Sequence, residues 1–561
     1  MTDGLVLPSI DYYRLSPMLI VFGVAVVSVL VEAFARSEAR YRIQLGLSCA
    51  GIVAAMVALG FVAHTATTDS PQQRTLMSGA VLIDGPGLFV QAVVLVVALG
   101  AVAFMGERRL DRVWAPAEVR TAAGKPVAVG YVSTPLDERR TRSDDAGSDA
   151  DAELTADAFT PSGATVPGST DELAAGRAGF LTTEVYPLTL FAVGGMMLFG
   201  SCGDLLTMFI ALEVLSLPLY VLCGLARRRR LLSQEASLKY FLLGAFASAI
   251  FLFGTAFAYG ASASLSLRDV GQSLQTADDR TFGVIALVLI AVGLLFKVGA
   301  VPFGSWVPDV YQGAPSPVTS LMASATKAAA FGALLRVLHV GFPDLADIAR
   351  PALWTITIAT MVIATFMAVT QRDCKRMLAY SSVSHVGFAL IGAITLSRDA
   401  LAGTLFYIAV YAVSAFGAFA LISVVRDATG REESDLRAWA GLGREHPLVG
   451  TMMSILLLSF AGIPLTGGFI GKFAVFSAAG QEGAWPLVIV GVVCSAIAAY
   501  FYVRVIVAMF FSDPPEGGPT VAQPSLLTTI PIAISVGLTI ALGIVPAWLL
   551  DVSHDVATFL G

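Results

Sequence analysis

Of the 35 Lys and Arg residues in this 561-residue chain only six are lysine. Four of the six, Lys239, Lys297, Lys327 and Lys472, lie within long apolar runs, whereas Lys125 and Lys375 sit in polar stretches. Arginine supplies nearly all the remaining positive charge. The division has chemical content. An ammonium can lose its proton when it is desolvated, and a guanidinium stays charged. A titratable side chain inside a bilayer is costly and by default marks function. Lysines repeated through apolar runs point to a path for protons.

Two of these lysines lie beside breaks. One run reads GLLFKVGAVPFGSW, with Lys297 five residues before Pro302; another reads SFAGIPLTGGFIGKF, with Pro464, Gly467 and Gly468 ahead of Lys472. Paired interruptions of this kind are the signature of an inverted repeat with its ion site near the bilayer midplane. They free backbone carbonyls, which a membrane protein tolerates only where protein or water satisfies them. Glu213, in MFIALEVLSLPLYVL, is the carboxylate expected to pair with Lys297. At 4 Å and an effective dielectric near 20 such a pair is worth roughly 4 kcal/mol before desolvation. Lys327 is flanked by small residues that permit close helix contact and leave room for water. His385, in LAYSSVSHVGFALIGAI, either bridges the lysines or is a satisfied structural histidine, with Tyr380, Ser381, Ser382 and Ser384 beside it. His339 is expected at the membrane interface. Lys239 follows Gln234 and Glu235, so it either joins the row or snorkels to the basic interface.

The elements that must hold these residues are helices. The chain is 56% apolar and 14% charged, with a mean hydropathy of +0.77. Fourteen apolar runs recur, each near the length that crosses about 30 Å of hydrocarbon. The first is read as a retained helix, not a cleaved signal peptide. Arginine clusters alternate from loop to loop (Arg36, Arg40 and Arg42; Arg108, Arg109 and Arg112; Arg227 to Arg230). That alternation places the odd-to-even loops in the cytoplasm and both termini outside. The expected fold is an all-α integral membrane bundle without strands. Residues 107–178 differ: between Asp144 and Glu172 there are eight acids and no base. This composition predicts a charged, partly disordered cytoplasmic insertion. Five cysteines show no C-x-x-C pair and are expected as small buried hydrophobes. There is no Walker A sequence and no H-E-x-x-H, so the chain has no evident energy source of its own. No metal site, bound cofactor or nucleic-acid partner is expected.

The segments FKVGAVPFGSWVPDVYQGAP (296–315), LEVLSLPLY (212–220), KRMLAYSSVSHVGF (375–388) and AGIPLTGGFIGKF (461–473) resemble the subunit N family of proton-pumping NADH–quinone oxidoreductase, respiratory complex I. The resemblance covers nearly the whole chain except 107–178. The PDVYQGAP run points to that family among its antiporter-like relatives. The resemblance implies a bacterial plasma-membrane protein with fourteen helices. Three N-terminal helices would fill 1–106, and inverted five-helix repeats would span 179–341 and 342–511. A last helix would lie in 512–561. It also implies that Glu213, Lys297, Lys327 and Lys472 are the family's proton-translocating residues; Lys239 and His385 are assigned to the same path from their own surroundings in the sequence. Where many relatives have a histidine after the first broken-helix proline, this chain has Gly304. The implied partners are other membrane-arm subunits, both antiporter-like and small, and the lipid bilayer; FMN, iron–sulfur clusters and quinone are expected in partner subunits. The rival readings are a cation/proton antiporter subunit of Mrp type, a purely structural anchor, and a subunit of a related complex with another electron donor.

Overall fold

The computed structural model describes residues 10–112, 118–120, 126–128, 155–156, 158–160, 182–227, 229–427, 430–515, 518 and 520–560. In chain order the principal helices are α1 (Ser16–Phe34), α2 (Ser37–Ala66), α3 (Gly85–Met105), α4 (Val185–Phe199), α5 (Leu205–Cys223), α6 (Arg230–Ser262), α7 (Leu267–Thr276), α8 (Thr281–Val298) and α9 (Trp306–Gly313). They continue with α10 (Ser316–Gly341), α11 (Ala346–Val369), α12 (Cys374–Ala393), α13 (Arg398–Ile422), α14 (Pro447–Ala461), α15 (Gly467–Gln481), α16 (Trp485–Phe511), α17 (Leu526–Ile544) and α18 (Ala547–Asp555). Among the described residues 11 helices are long and apolar enough to cross a membrane, and α4 and α14 are shorter apolar helices.

Local chemistry fixes several starts. Asp84, Asp204 and Asp373 each accept a backbone N–H from the first turn of α3, α5 and α12, which satisfies a donor the helix itself cannot. Three helices form the centre. Every residue in the most apolar window of α10 is buried, as is 94% of that of α13. α12 is buried nearly throughout as well, and the outer helices surround this centre with one face in and one apolar face out. α10 is not a regular helix: π-helical turns occupy Met322–Thr326, directly before Lys327, and Val337–Gly341.

Both expected breaks are present and share one geometry. α8 ends at Gly299 (φ +87°) and α14 ends at Gly462 (φ +80°). Gly299 N–H donates to Leu295 and Phe296 carbonyls and Ala300 N–H to Leu295; Gly462 N–H donates to Leu458 and Ser459 and Ile463 N–H to Leu458. Each is a left-handed helix cap that only glycine adopts without strain. At the second break a Cβ on Gly468 would lie 1.9 Å from the Ser459 carbonyl oxygen. The glycine is what lets α15 start against the end of α14. Gly304 is equally constrained, since a Cβ there would sit 2.2 Å from Gly299 O. The turn leaves no room for a side chain at this position.

One expectation needs correction. Strands do occur, as ladders of two or three residues between loops, such as Thr75–Leu76 with Val81–Leu82 and Val425–Arg426 with Thr520–Val521. Loop segments that meet at the rim of the bundle pair their backbone groups there because those groups must be satisfied. The amphipathic helix α7 also escaped the sequence reading; it buries Leu267, Val270 and Leu274. Most of the expected disorder in 107–178 lies outside the described residues. Its described strands pair with one another, and residues 158–160 dock against the loop after α5. Asp111–Arg112 pairs with Thr155–Ala156. Phe159 is buried, Thr160 N–H donates to Leu225 O at 2.9 Å, and Arg227 N–H donates to Ala158 O at 3.0 Å.

Candidate functional site

Glu213 and Ser216 stand one turn apart on α5. The expected direct pair between Glu213 and Lys297 is not formed. The Lys297 ammonium, 3% exposed near the end of α8, donates instead to Ser216 Oγ at 2.7 Å and Tyr240 Oη at 3.0 Å. Glu213 stays close enough to act on it electrostatically, while its Oε1 has no hydrogen-bond partner. Two hydroxyls stand in for the carboxylate because α5 presents Ser216, not Glu213, at the level of the ammonium.

The row continues through aromatic groups that the sequence reading missed. Tyr240 stacks on Trp306, with ring centroids 4.5 Å apart, and Trp306 meets Tyr311 edge-on at 6.2 Å. Lys327, also 3% exposed, has its Nζ 6.0 Å from the Tyr311 ring and 5.9 Å from the Tyr411 ring. It donates to the Ser382 carbonyl at 3.0 Å. His385 lies one turn further along α12. Its Nδ1 is 2.6 Å from Tyr407 Oη, its Nε2 is 3.2 Å from Tyr502 Oη, and its ring lies 4.9 Å from that of Tyr411. Lys472, on α15, donates to Phe460 O at 2.8 Å, Ala461 O at 3.2 Å and Ser495 Oγ at 2.8 Å, and its Nζ lies 4.7 Å from the Phe388 ring. Phe388 and Phe460 both touch the His385 ring.

Lys297, Lys327, His385 and Lys472 therefore form one buried row, with Glu213 at its end. The breaks at Pro302 and at Pro464, Gly467 and Gly468 position Lys297 and Lys472. Of the residues expected beside His385, Ser381 bonds Tyr502, Ser384 bonds Thr365 at 2.9 Å, and Tyr380 faces Arg376. Lys239 is outside the row. Its side chain is 40% exposed and pairs with Glu235 at 2.6 Å and Asp309 at 2.7 Å. His339 is half-buried, its Nδ1 2.9 Å from Leu335 O, against Phe559. Lys375 also departs from expectation. Its flanks are polar, yet it is 3% exposed and pairs with Glu432 at 2.9 Å. The missed tyrosines carried a weak signal: a phenol inside an apolar run needs a partner for its hydroxyl. Four of the five cysteines are buried, as expected of small hydrophobes.

This arrangement holds ionisable groups in a buried interior, joined by hydroxyls and aromatic faces. A family profile described as "NADH:quinone oxidoreductase/Mrp antiporter, TM" matches residues 202–498. NADH-quinone oxidoreductase subunit N of Rhodococcus opacus is 53% identical over 98% of this chain and 97% of its own length. The subunit N of Mycobacterium tuberculosis is 50% identical over 99% of each. Among solved structures, a chain of respiratory complex I from Thermus thermophilus superposes with a TM-score of 0.70 at 29% identity, covering 95% of this chain and 98% of that one. A chain of the Mrp complex from Dietzia sp. superposes with a TM-score of 0.72 at 20% identity, a likeness of fold alone. The chain belongs to the NADH-quinone oxidoreductase subunit N family, the antiporter-like membrane subunits of complex I.

Proposed function

We propose that this subunit translocates protons along the buried row from Glu213 through Lys297, Lys327 and His385 to Lys472, as part of a proton-translocating NADH–quinone oxidoreductase. The observation that carries the reading is the series of contacts joining three deeply buried lysines by way of Tyr240, Trp306, Tyr311, Tyr411 and His385. Partner subunits carry the redox groups, FMN, iron–sulfur clusters and quinone. This chain supplies side chains that take up and release protons when a charge changes next to the row. Lys239, partly exposed at the polar end of α6 and paired with Asp309, is assigned in this reading to the cytoplasmic side of the path.

The reading includes fourteen spans, with α9 completing the seventh and α15 the twelfth. Helices four to eight and nine to thirteen of that count form two inverted repeats, supported by the matching caps at Gly299 and Gly462. The arginine-rich loops face the cytoplasm and both termini face outward. A cation/proton antiporter of Mrp type shares the fold. The full-length relatives at 50% identity and above favour the oxidoreductase subunit.

The test is proton pumping by assembled complexes in inverted membrane vesicles. Lys297→Arg, Lys327→Arg and Lys472→Arg should each assemble and lose at least about tenfold in pumping, because arginine does not release its proton. Normal pumping by all three would remove the relay.

A further inference from the structure

The eight-residue half-helix α9 reaches both lysines of the first broken region. At its start, Trp306 Nε1 donates to Phe296 O at 3.1 Å, in the chain's own turn around Lys297. The same indole stacks on Tyr240, whose hydroxyl contacts Lys297. Near its end, Tyr311 presents its ring to Lys327. A helix of this length is a stiff rod of about 12 Å. A shift of α9 therefore moves the surroundings of both lysines together.

Between Trp306 and Tyr311 lies Asp309. Its Oδ2 accepts from Lys239 of α6 at 2.7 Å, and its Oδ1 accepts from Arg376 of α12 at 2.7 Å. Arg376 also donates to Gln312 Oε1 at 3.0 Å. Each carboxylate oxygen is thus held by a different helix, one on either side of the row. Among the described residues no other ion pair ties α9 to both neighbours.

We propose that Asp309 is a positioning residue: clamped between Lys239 and Arg376, it fixes α9 so that Trp306 and Tyr311 link the states of Lys297 and Lys327. The clamp rests on the reading of these two lysines as proton carriers. It gives Lys239, which lies outside the row, a role through Asp309. It also gives the PDVYQGAP segment a mechanical function.

The experiment uses the full complex in inverted vesicles and reads protons pumped per NADH oxidised, with subunit content measured separately. Asp309→Asn, Lys239→Gln and Arg376→Gln each remove one or both arms of the clamp. Each should lower the pumping ratio roughly 2- to 30-fold, the range of modulated coupling between sites. Adding either cation variant to Asp309→Asn should cause no further loss, and Asp309→Glu should restore most of the ratio. A merely structural defect would lower oxidation and pumping in step with assembly and leave the ratio intact. Lys239 and Arg376 are partly exposed, so their variants decide the matter even where Asp309→Asn fails to assemble. Normal ratios in both Lys239→Gln and Arg376→Gln, or losses that multiply, would overturn the clamp. Lys297→Arg serves as the reference. If it stops pumping while the clamp variants keep a normal ratio, only the clamp fails; if it pumps normally, the relay itself fails.

Discussion

Lys472 donates to the carbonyl of Phe460 at 2.8 Å, although it belongs to the helix after the break. Phe460 stands two residues before Gly462, as Lys297 stands two residues before Gly299. The two lysines come from different places in the chain, one before its break and one after. Lys297 gives its ammonium to the hydroxyls of Ser216 and Tyr240, whereas Lys472 brings its own to the C-terminal end of α14. That end carries partial negative charge and unpaired carbonyls, which hold a cation in a site with no acid in contact. Lys472 adds Ala461 O and Ser495 Oγ, so its three donors are satisfied.

This geometry distinguishes Lys472→Arg from a simple conservation of charge. A guanidinium brings five donors into a site that offers three acceptors. A Cβ on Gly462 would already lie 3.0 Å from the Lys472 side chain, so the larger head has little room. Ser495→Ala should be milder and leave assembly intact, since one acceptor is lost and two remain. The expected order of pumping in vesicles is wild type, then Ser495→Ala, then Lys472→Arg. Equal pumping by all three would show that the carbonyl site does not control Lys472.

At the other end of the row the hydroxyls matter as much as the carboxylate. Glu213→Ala should cut quinone reduction and pumping together, and Glu213→Asp should be milder. Tyr240→Phe keeps the stack on Trp306 but removes the oxygen 3.0 Å from Lys297. A hydrogen bond to a charged group is worth about 1.5–3 kcal/mol. Tyr240→Phe should therefore reduce pumping by roughly tenfold or more, with assembly unchanged. Pumping assays on both variants, normalised to subunit content, test whether Lys297 is held by a pair or by a network.

The breaks and their lysines were legible because proline, glycine and lysine in an apolar run are local signals. What the sequence hid is set by contacts between distant segments. Asp84 and Arg336 form a bidentate buried pair at 2.7 Å across 252 positions, and neither segment alone indicates its partner. Tyrosine serves equally as packing and as a proton-bearing group, so Tyr407 and Tyr502 gave no sign of flanking His385 from two other helices. The pair expected between Glu213 and Lys297 failed for a geometric reason. Helical phase places Ser216 at the ammonium, and a difference of one turn is not visible without the packing.

The insertion divides into a dispensable part and an anchor. Removing residues 120–150 should leave pumping close to wild type, because the pairing of Asp111–Arg112 with Thr155–Ala156 closes the chain beyond that point. Phe159→Ala should cost about 3–5 kcal/mol locally, as expected for emptying a buried aromatic site. The loop it covers, around Leu225 to Arg227, should then be cut faster by protease. Equal cleavage of the two variants would show that Phe159 does not anchor the insertion.

Lys375 is the residue for which sequence and structure differ most, and the difference reverses an expectation. In a solvated loop Lys375→Arg would be neutral. Here the ammonium is buried against Glu432 at 2.9 Å, Ser316 Oγ at 2.9 Å and Ala314 O at 3.3 Å. Arginine must reorganise all three, so Lys375→Arg should destabilise the site. Lys375→Met should cost more, about 3–5 kcal/mol, because it leaves Glu432 without its nearest cation. Burial pushes the Glu432 carboxyl up, but the charges of Lys375, Arg426 and Arg229 and the bond from Ser316 more than reverse this, to about 2. A lowered carboxyl stabilises the fold above its ordinary value near 4.5, and that contribution fades as pH falls from there toward about 2. Without Lys375 the carboxyl rises, and the loss should begin at higher pH. Hydrogen exchange of residues 425–435 in the purified complex, followed between about pH 4 and pH 7, reads this directly. Wild type should stay protected across that window, and Lys375→Met should open at its acid end. Unchanged protection in Lys375→Met would mean that Arg229 and Arg426 alone hold Glu432 ionised.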